Sequence, residues 1–208
     1  MTTNYLEQLR KERLLPLYTT TDMSLVEKAE EILVNNGLSF IEVTYRSEFA
    51  GATIKQLSES GKLIVGAGTV TDVETAKDAI DNGATFIVMP GFSSEVVQYC
   101  QERNVPVYPG VATPTEIIAA KNEGLDTVKF FPADVYGGLK AIKALSGPFY
   151  DISFIPTGGV NADNYLEFLD VEAIVAVGGS FILSESVIAK DNGETANKQL
   201  ADLVAKLK

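Results

Sequence analysis

Eight short apolar runs, each followed by a polar stretch of helical periodicity, recur along this 208-residue chain. They span Leu14–Thr20, Ser39–Arg46, Leu63–Val70, Thr85–Gly91, Val105–Ala112, Thr127–Ala133, Phe154–Gly159 and Ala173–Ser180. Between them lie stretches such as SLVEKAEEILVNNG, TDVETAKDAIDNG, PTEIIAAKNEG and NADNYLEFL, with Asp, Thr or Asn at their starts and Gly at several ends. Those are helix-capping signals. Runs such as IVGAGTV and FIVMPG are almost continuously apolar, as parallel strands covered on both faces must be. Eight strand–helix units predict an α/β chain folded as a (β/α)8 TIM barrel, one domain over residues 1–208, with Asn4–Arg13 as an extra N-terminal helix across its bottom. Such barrels usually run to about 250 residues, so the loops must be short. An open doubly wound sheet is the alternative. No linker or low-complexity tract divides the chain.

Composition narrows the chemistry. Lys and Arg number 17 against 28 Asp and Glu, a net charge of −11, so a nucleic-acid backbone would be repelled and an anionic substrate must be held locally. The absence of histidine excludes Ser-His-Asp triads, His-ligated zinc and imidazole acid/base catalysis. No metal is expected, because Glu and Asp alone would have to hold it. The single cysteine, Cys100, cannot close an intrachain disulfide and reads as a packed core residue. No window approaches the roughly 18–20 apolar residues of a membrane span. The opening MTTNYLEQLRKERLLPL carries charge where a signal peptide would be apolar, so a cytoplasmic location is expected.

Ionisable groups inside strands are the informative exceptions in a barrel of branched apolar side chains. Lys129 sits between Val128 and Phe130 in TVKFFP, on the same face as Phe131. An ammonium is costly to desolvate there, whereas a free amine attacks carbonyl carbon and forms Schiff bases. Glu42, Thr44 and Arg46 share one face of the second strand. If that face is inward, Glu42 can move protons while Arg46, at the strand's end, clamps a carboxylate. The bland alternative is a structural ion pair across strands.

Glycine pairs follow the seventh and eighth strands, at Thr157-Gly158-Gly159 and Gly178-Gly179-Ser180, where barrels often bind phosphate on backbone N–H groups. Ser180 could add its hydroxyl. An inward lysine, a carboxylate, an arginine and a phosphate cradle together describe an imine-forming enzyme acting on a phosphorylated keto acid. A sugar-phosphate isomerase or epimerase, with Glu42 as base and Lys129 as an electrostatic group, is the competing enzyme class, and an inactive binding barrel is the third.

At these residues the sequence resembles the class I 2-keto-3-deoxy-6-phosphogluconate (KDPG) / 4-hydroxy-2-oxoglutarate (KHG) aldolases. The matching stretches run almost end to end: Ile41-Glu-Val-Thr44 with Arg46, Gly66-Ala-Gly-Thr-Val70, Pro90-Gly91, Pro109-Gly110 with Thr113 and Glu116, Val128-Lys-Phe-Phe-Pro-Ala133 with Gly137-Gly138, Pro156-Thr-Gly-Gly159, and Gly178-Gly-Ser180. The resemblance implies a homotrimer of barrels that cleaves KDPG to pyruvate and glyceraldehyde 3-phosphate, and KHG to pyruvate and glyoxylate, without metal or other cofactor. The stereoisomeric phosphogalactonate is the alternative substrate. It further implies that Lys129 forms the imine and Glu42 shuttles protons. Arg46, Thr69 and Pro90 would hold the carboxylate, Phe131 and Thr157 would line the site, and Gly158, Gly159, Gly178, Gly179 and Ser180 would hold phosphate. Tyr45 stands where the family commonly has an aliphatic residue, Met89 where serine is usual, and Asp134 where glutamate is usual. Met89 and Asp134 bear on the choice of acceptor aldehyde.

Overall fold

The computed structural model describes residues 5–207. Strands and helices alternate: β1 (Leu14–Tyr18), β2 (Phe40–Thr44), β3 (Ile64–Gly68), β4 (Phe86–Val88), β5 (Val107–Tyr108), β6 (Gly110–Val111), β7 (Thr127–Phe130), β8 (Ser153–Pro156) and β9 (Val177–Gly179). Helix α1 (Tyr5–Glu12) precedes β1. Helices α2 (Val26–Asn35), α3 (Ala50–Ser60), α4 (Val73–Asp81), α5 (Ser94–Glu102), α6 (Pro114–Asn122), α7 (Gly138–Ser146), α8 (Tyr165–Leu169) and α9 (Glu185–Ile188) follow successive strands, and α10 (Glu194–Ala205) ends the order.

All strand pairings are parallel, and β1 lies between β2 and the last strand, β9. The pairing resolves into a six-stranded sheet, β5-β4-β3-β2-β1-β9, and a three-stranded sheet, β6-β7-β8, rather than one continuous eight-stranded ring. Two local causes separate them. Pro109 divides the fifth apolar run into β5 and β6, since proline offers no N–H to a ladder, although its carbonyl still accepts from Lys129 N–H at 2.9 Å. Between β8 and β9 the contact reduces to isolated bridges at Phe154↔Ile174 and Thr157↔Gly178.

The strands are buried on both faces: every residue of β1 and β2 is buried, so that β1 reads as an unbroken apolar run and Glu42 and Thr44 are the polar exceptions in β2. On one face, side chains such as Val43, Ala67 and Val128 pack under the helices with Ile54, Ala76 and Ile117. On the other, Leu15, Leu17, Phe40, Phe86, Val88, Tyr108 and Ile155 form a second cluster with Leu9 of α1. Tyr5 of α1 meets Phe40 edge-on at 6.4 Å, and Phe40 in turn meets Phe86 at 6.0 Å. Helix α1 therefore packs against the N-terminal ends of the strands it touches, and it stops at Glu12, one residue short of the expected Arg13, whose φ is 65°. Asn4, assigned to the same helix, lies outside the described residues.

The capping signals act as read. Asp72 accepts from Thr75 N–H to start α4, and Thr113 with Glu116 forms a reciprocal capping box for α6, with Pro114 in its first turn. Burial raises the Glu116 carboxyl, but hydrogen bonds from Ala112 and Thr113 outweigh it and hold the group below its ordinary range. Helix α8 is shorter than the stretch NADNYLEFL predicts. The Asn161 and Asn164 side chains accept from Asp163 and Asn161 N–H in turns, which delays the helix to Tyr165. Cys100 is fully buried on α5, and burial pushes its thiol up to about 11. Among the described residues no helix is long and apolar enough to cross a membrane.

Candidate active site

The residues singled out by the sequence lie within or just after the C-terminal halves of the strands, the end opposite α1. Register pairs Leu17 with Glu42, Glu42 with Gly66, and Thr44 with Gly68. Side chains two residues apart therefore repeat on the inner face. Glu42 and Lys129, 87 residues apart in sequence, meet there. Lys129 Nζ stands 3.4 Å from Glu42 Oε1, and the side chains are only 3% and 1% exposed. That separation is longer than the 2.7–2.9 Å of a tight charge-assisted bond, so the amine is held but not locked. Nζ also lies 5.1 Å from the centroid of the Phe131 ring.

Among the described residues two buried side-chain polar atoms make no hydrogen bond: Glu42 Oε2, the second oxygen of this same carboxylate, and Thr157 Oγ1. Orphaning a buried acceptor or hydroxyl costs about 1–3 kcal/mol. Both are therefore primed to bond to a ligand that brings its own polar groups. Two glycines permit the arrangement. A Cβ on Gly68 would stand 2.1 Å from Glu42 Oε1, and one on Gly178 would stand 2.4 Å from Thr157 Oγ1.

Toward the open end, Arg46 Nε donates to Thr69 Oγ1 at 3.1 Å, uniting two of the three residues expected to hold a carboxylate. Thr69 has φ of 61°, a left-handed conformation that a β-branched residue adopts only under constraint. Pro90, the third, stands at the end of the next strand, where its carbonyl would be 2.3 Å from a Cβ on Gly110. The Thr157↔Gly178 bridge brings together the two glycine turns, Gly158-Gly159 and Gly179-Ser180, that were expected to hold phosphate. Gly158 and Gly159 have φ of 87° and 85°, which leaves little room for any other residue type. Gly158 also approaches Phe131, whose ring carbon would be 3.3 Å from an added Cβ. Ser180 is exposed at the rim. Among the described residues, no three His, Cys, Asp or Glu side chains gather as a metal-binding group.

Residues 6–198 match the family described as KDPG and KHG aldolase. The chain belongs to that family. It is 35% identical over 98% of its length to the 2-dehydro-3-deoxy-phosphogluconate aldolase of Haemophilus influenzae, covering 96% of that protein. It is 39% identical over 90% of its length to the enzyme of the same name from Pseudomonas aeruginosa, covering 84%. Its structure is similar to that of the KDPG aldolase from Legionella pneumophila with pyruvate captured at low pH as a covalent carbinolamine intermediate. There the TM-score is 0.93 and the identity 30%, with 98% of this chain and 99% of that one covered.

Two features of this aldolase escaped the sequence. One is the contact of Gly68 with the Glu42 carboxylate, because GAGTV reads equally well as a strand ending in small residues. The other is Thr19, whose Oγ1 lies 2.6 Å from Thr44 Oγ1. The strand alternation that put Thr44 on the face of Glu42 could have placed Thr19 opposite it, had the register been known. Gly68→Ala is expected to displace the Glu42 carboxylate and lower turnover by about 10²-fold, the penalty for a shift of roughly 1 Å. Steady-state rates alongside a thermal melt check this, and a wild-type rate would mean that the carboxylate position is not critical.

Proposed function

We propose that this chain is a Schiff-base aldolase, a carbon–carbon lyase that cleaves KDPG to pyruvate and glyceraldehyde 3-phosphate and also acts on KHG. The observation that carries the reading is the buried contact of Lys129 with Glu42, 3.4 Å apart, in a member of this family. As a free amine, Lys129 Nζ attacks the C2 ketone to give a carbinolamine, and Glu42 assists the loss of water to the iminium. The C3–C4 bonding electrons then move into the iminium, while Glu42, directly or through water, takes the C4 hydroxyl proton. The aldehyde leaves, the enamine is protonated at C3, and water hydrolyses the imine to release pyruvate and restore Lys129.

In this reading Arg46 and Thr69 hold the keto-acid carboxylate with Pro90 beside them, while Phe131 and Thr157 line the reacting carbons. Gly158, Gly159, Gly178, Gly179 and Ser180 receive the phosphate on backbone N–H groups and one hydroxyl. No metal or other cofactor enters, since the iminium is itself the electron sink. Residues 1–208 would form one (β/α)8 domain, a closure supported by the bridges between β8 and β9 and by hydrogen bonds on both sides of Pro109. Association as a homotrimer, expected from the family resemblance, would cover some of the exposed apolar side chains Ile118, Val135, Tyr136 and Tyr150. The lone cysteine supports a cytoplasmic location.

Incubation with pyruvate and borohydride, followed by peptide mass mapping, tests the reading, because reduction traps only an imine. One reduced pyruvyl adduct on Lys129 is expected. No adduct on the folded protein would favour the isomerase reading, and an adduct elsewhere would move the chemistry to another lysine.

A further inference from the structure

Strand β1 runs out into three consecutive threonines, and the structure gives each hydroxyl a different surrounding. Thr20 is fully buried and accepts from the Thr53 hydroxyl of α3 at 3.0 Å. Thr21 donates its N–H to the Glu185 carboxylate at 2.9 Å and its hydroxyl to the same group. Those two tie the end of β1 to neighbouring helices. Thr19 alone turns to the inner face, where it meets Thr44 and, among the described residues, no other hydrogen-bonding group. Thr44 is 1% exposed, whereas Thr19 is only half-buried.

Two hydroxyls bonded to each other use one proton between them. The pair therefore retains one O–H donor and several lone pairs. Thr44 lies two residues beyond Glu42 on the same face of β2, about 7 Å nearer the open end. The sheet order β3-β2-β1-β9 sets the pair between Arg46 and Thr69 on one side and the Gly178–Ser180 turn on the other. A substrate held by its carboxylate at the first and its phosphate at the second, with C2 on Lys129, must pass its middle carbons over β2 and β1.

We propose that the Thr19–Thr44 hydroxyl pair is a specificity-determining subsite for the hydroxyl-bearing carbons of the acceptor aldehyde, C4 and C5 of the six-carbon phosphorylated substrate. This rests on the aldolase reading above. The five-carbon substrate KHG ends in a carboxylate at C5 and offers no hydroxyl there, so the pair favours the longer, polyhydroxylated chain.

The experiment compares kcat/KM for cleavage of KDPG and of KHG by the wild type, Thr19→Val and Thr19→Ser, with pyruvate trapping by borohydride on each. Valine keeps the shape of threonine without the hydroxyl. The ratio of KDPG to KHG efficiency should fall about three- to tenfold in Thr19→Val, the usual worth of one neutral hydrogen bond, and recover in Thr19→Ser. The trapped adduct should persist in all three. An unchanged ratio, or a loss that serine does not restore, overturns the subsite while leaving the aldolase intact. A wild type that traps no pyruvate and cleaves neither substrate overturns the aldolase reading, and the subsite with it.

Discussion

Lys129→Ala should lower KDPG cleavage by on the order of 10⁴-fold or more, because removing a covalent nucleophile takes with it every step that follows. The chain should still fold at 25 °C. The substitution leaves Glu42 without the one charged partner it has among the described residues, and breaking a buried pair costs about 3–5 kcal/mol. At roughly 2–4 °C per kcal/mol for a chain of this size, the melting temperature should drop by about 6–20 °C without loss of cooperativity. Pyruvate release followed with a coupled dehydrogenase, together with a circular dichroism melt, checks both halves. A variant retaining near wild-type turnover would end the imine mechanism for this chain.

Glu42→Gln should lower the same rate by roughly 10²- to 10⁴-fold, the range for a positioned general acid/base. Glutamine has nearly the shape of glutamate, so the space beside Gly68 stays filled, but the amide can neither take nor return a proton. The borohydride adduct with pyruvate should still form, more slowly, because Lys129 remains. Rapid-quench measurement of adduct formation beside steady-state cleavage separates these effects. An unchanged cleavage rate would reduce Glu42 to a structural partner of Lys129.

Much of the architecture was legible because parallel strands buried on both faces leave an unbroken apolar signature, as in FIVMPG. The helix starts were legible because Asp72 and Thr113 must satisfy backbone N–H groups that have no other partner. The faces carrying Glu42 and Lys129 followed from strand alternation, but their meeting across 87 residues did not. Which strands lie opposite depends on how the sheets curl, and a local pattern carries no record of that. The division of the fifth run was written in Pro109, yet Pro109-Gly110 reads equally as a turn. Asn161 misled because the same side chain that starts helices can also satisfy turns. Thr19 and Gly68 stayed hidden because their significance lies in close approaches to other strands.

The buried position of Lys129 beside Glu42 has a kinetic consequence for the proposed mechanism. With its side chain only 3% exposed, Lys129 would hold a bonded pyruvyl group among the strands rather than at the surface. In the proposed mechanism the pyruvyl fragment stays bonded to Lys129 after the C3–C4 bond breaks, so the aldehyde departs before it. The order of product release is thus imposed by the imine bond, and free pyruvate returning to Lys129 would occupy the same form of the protein that the next substrate needs.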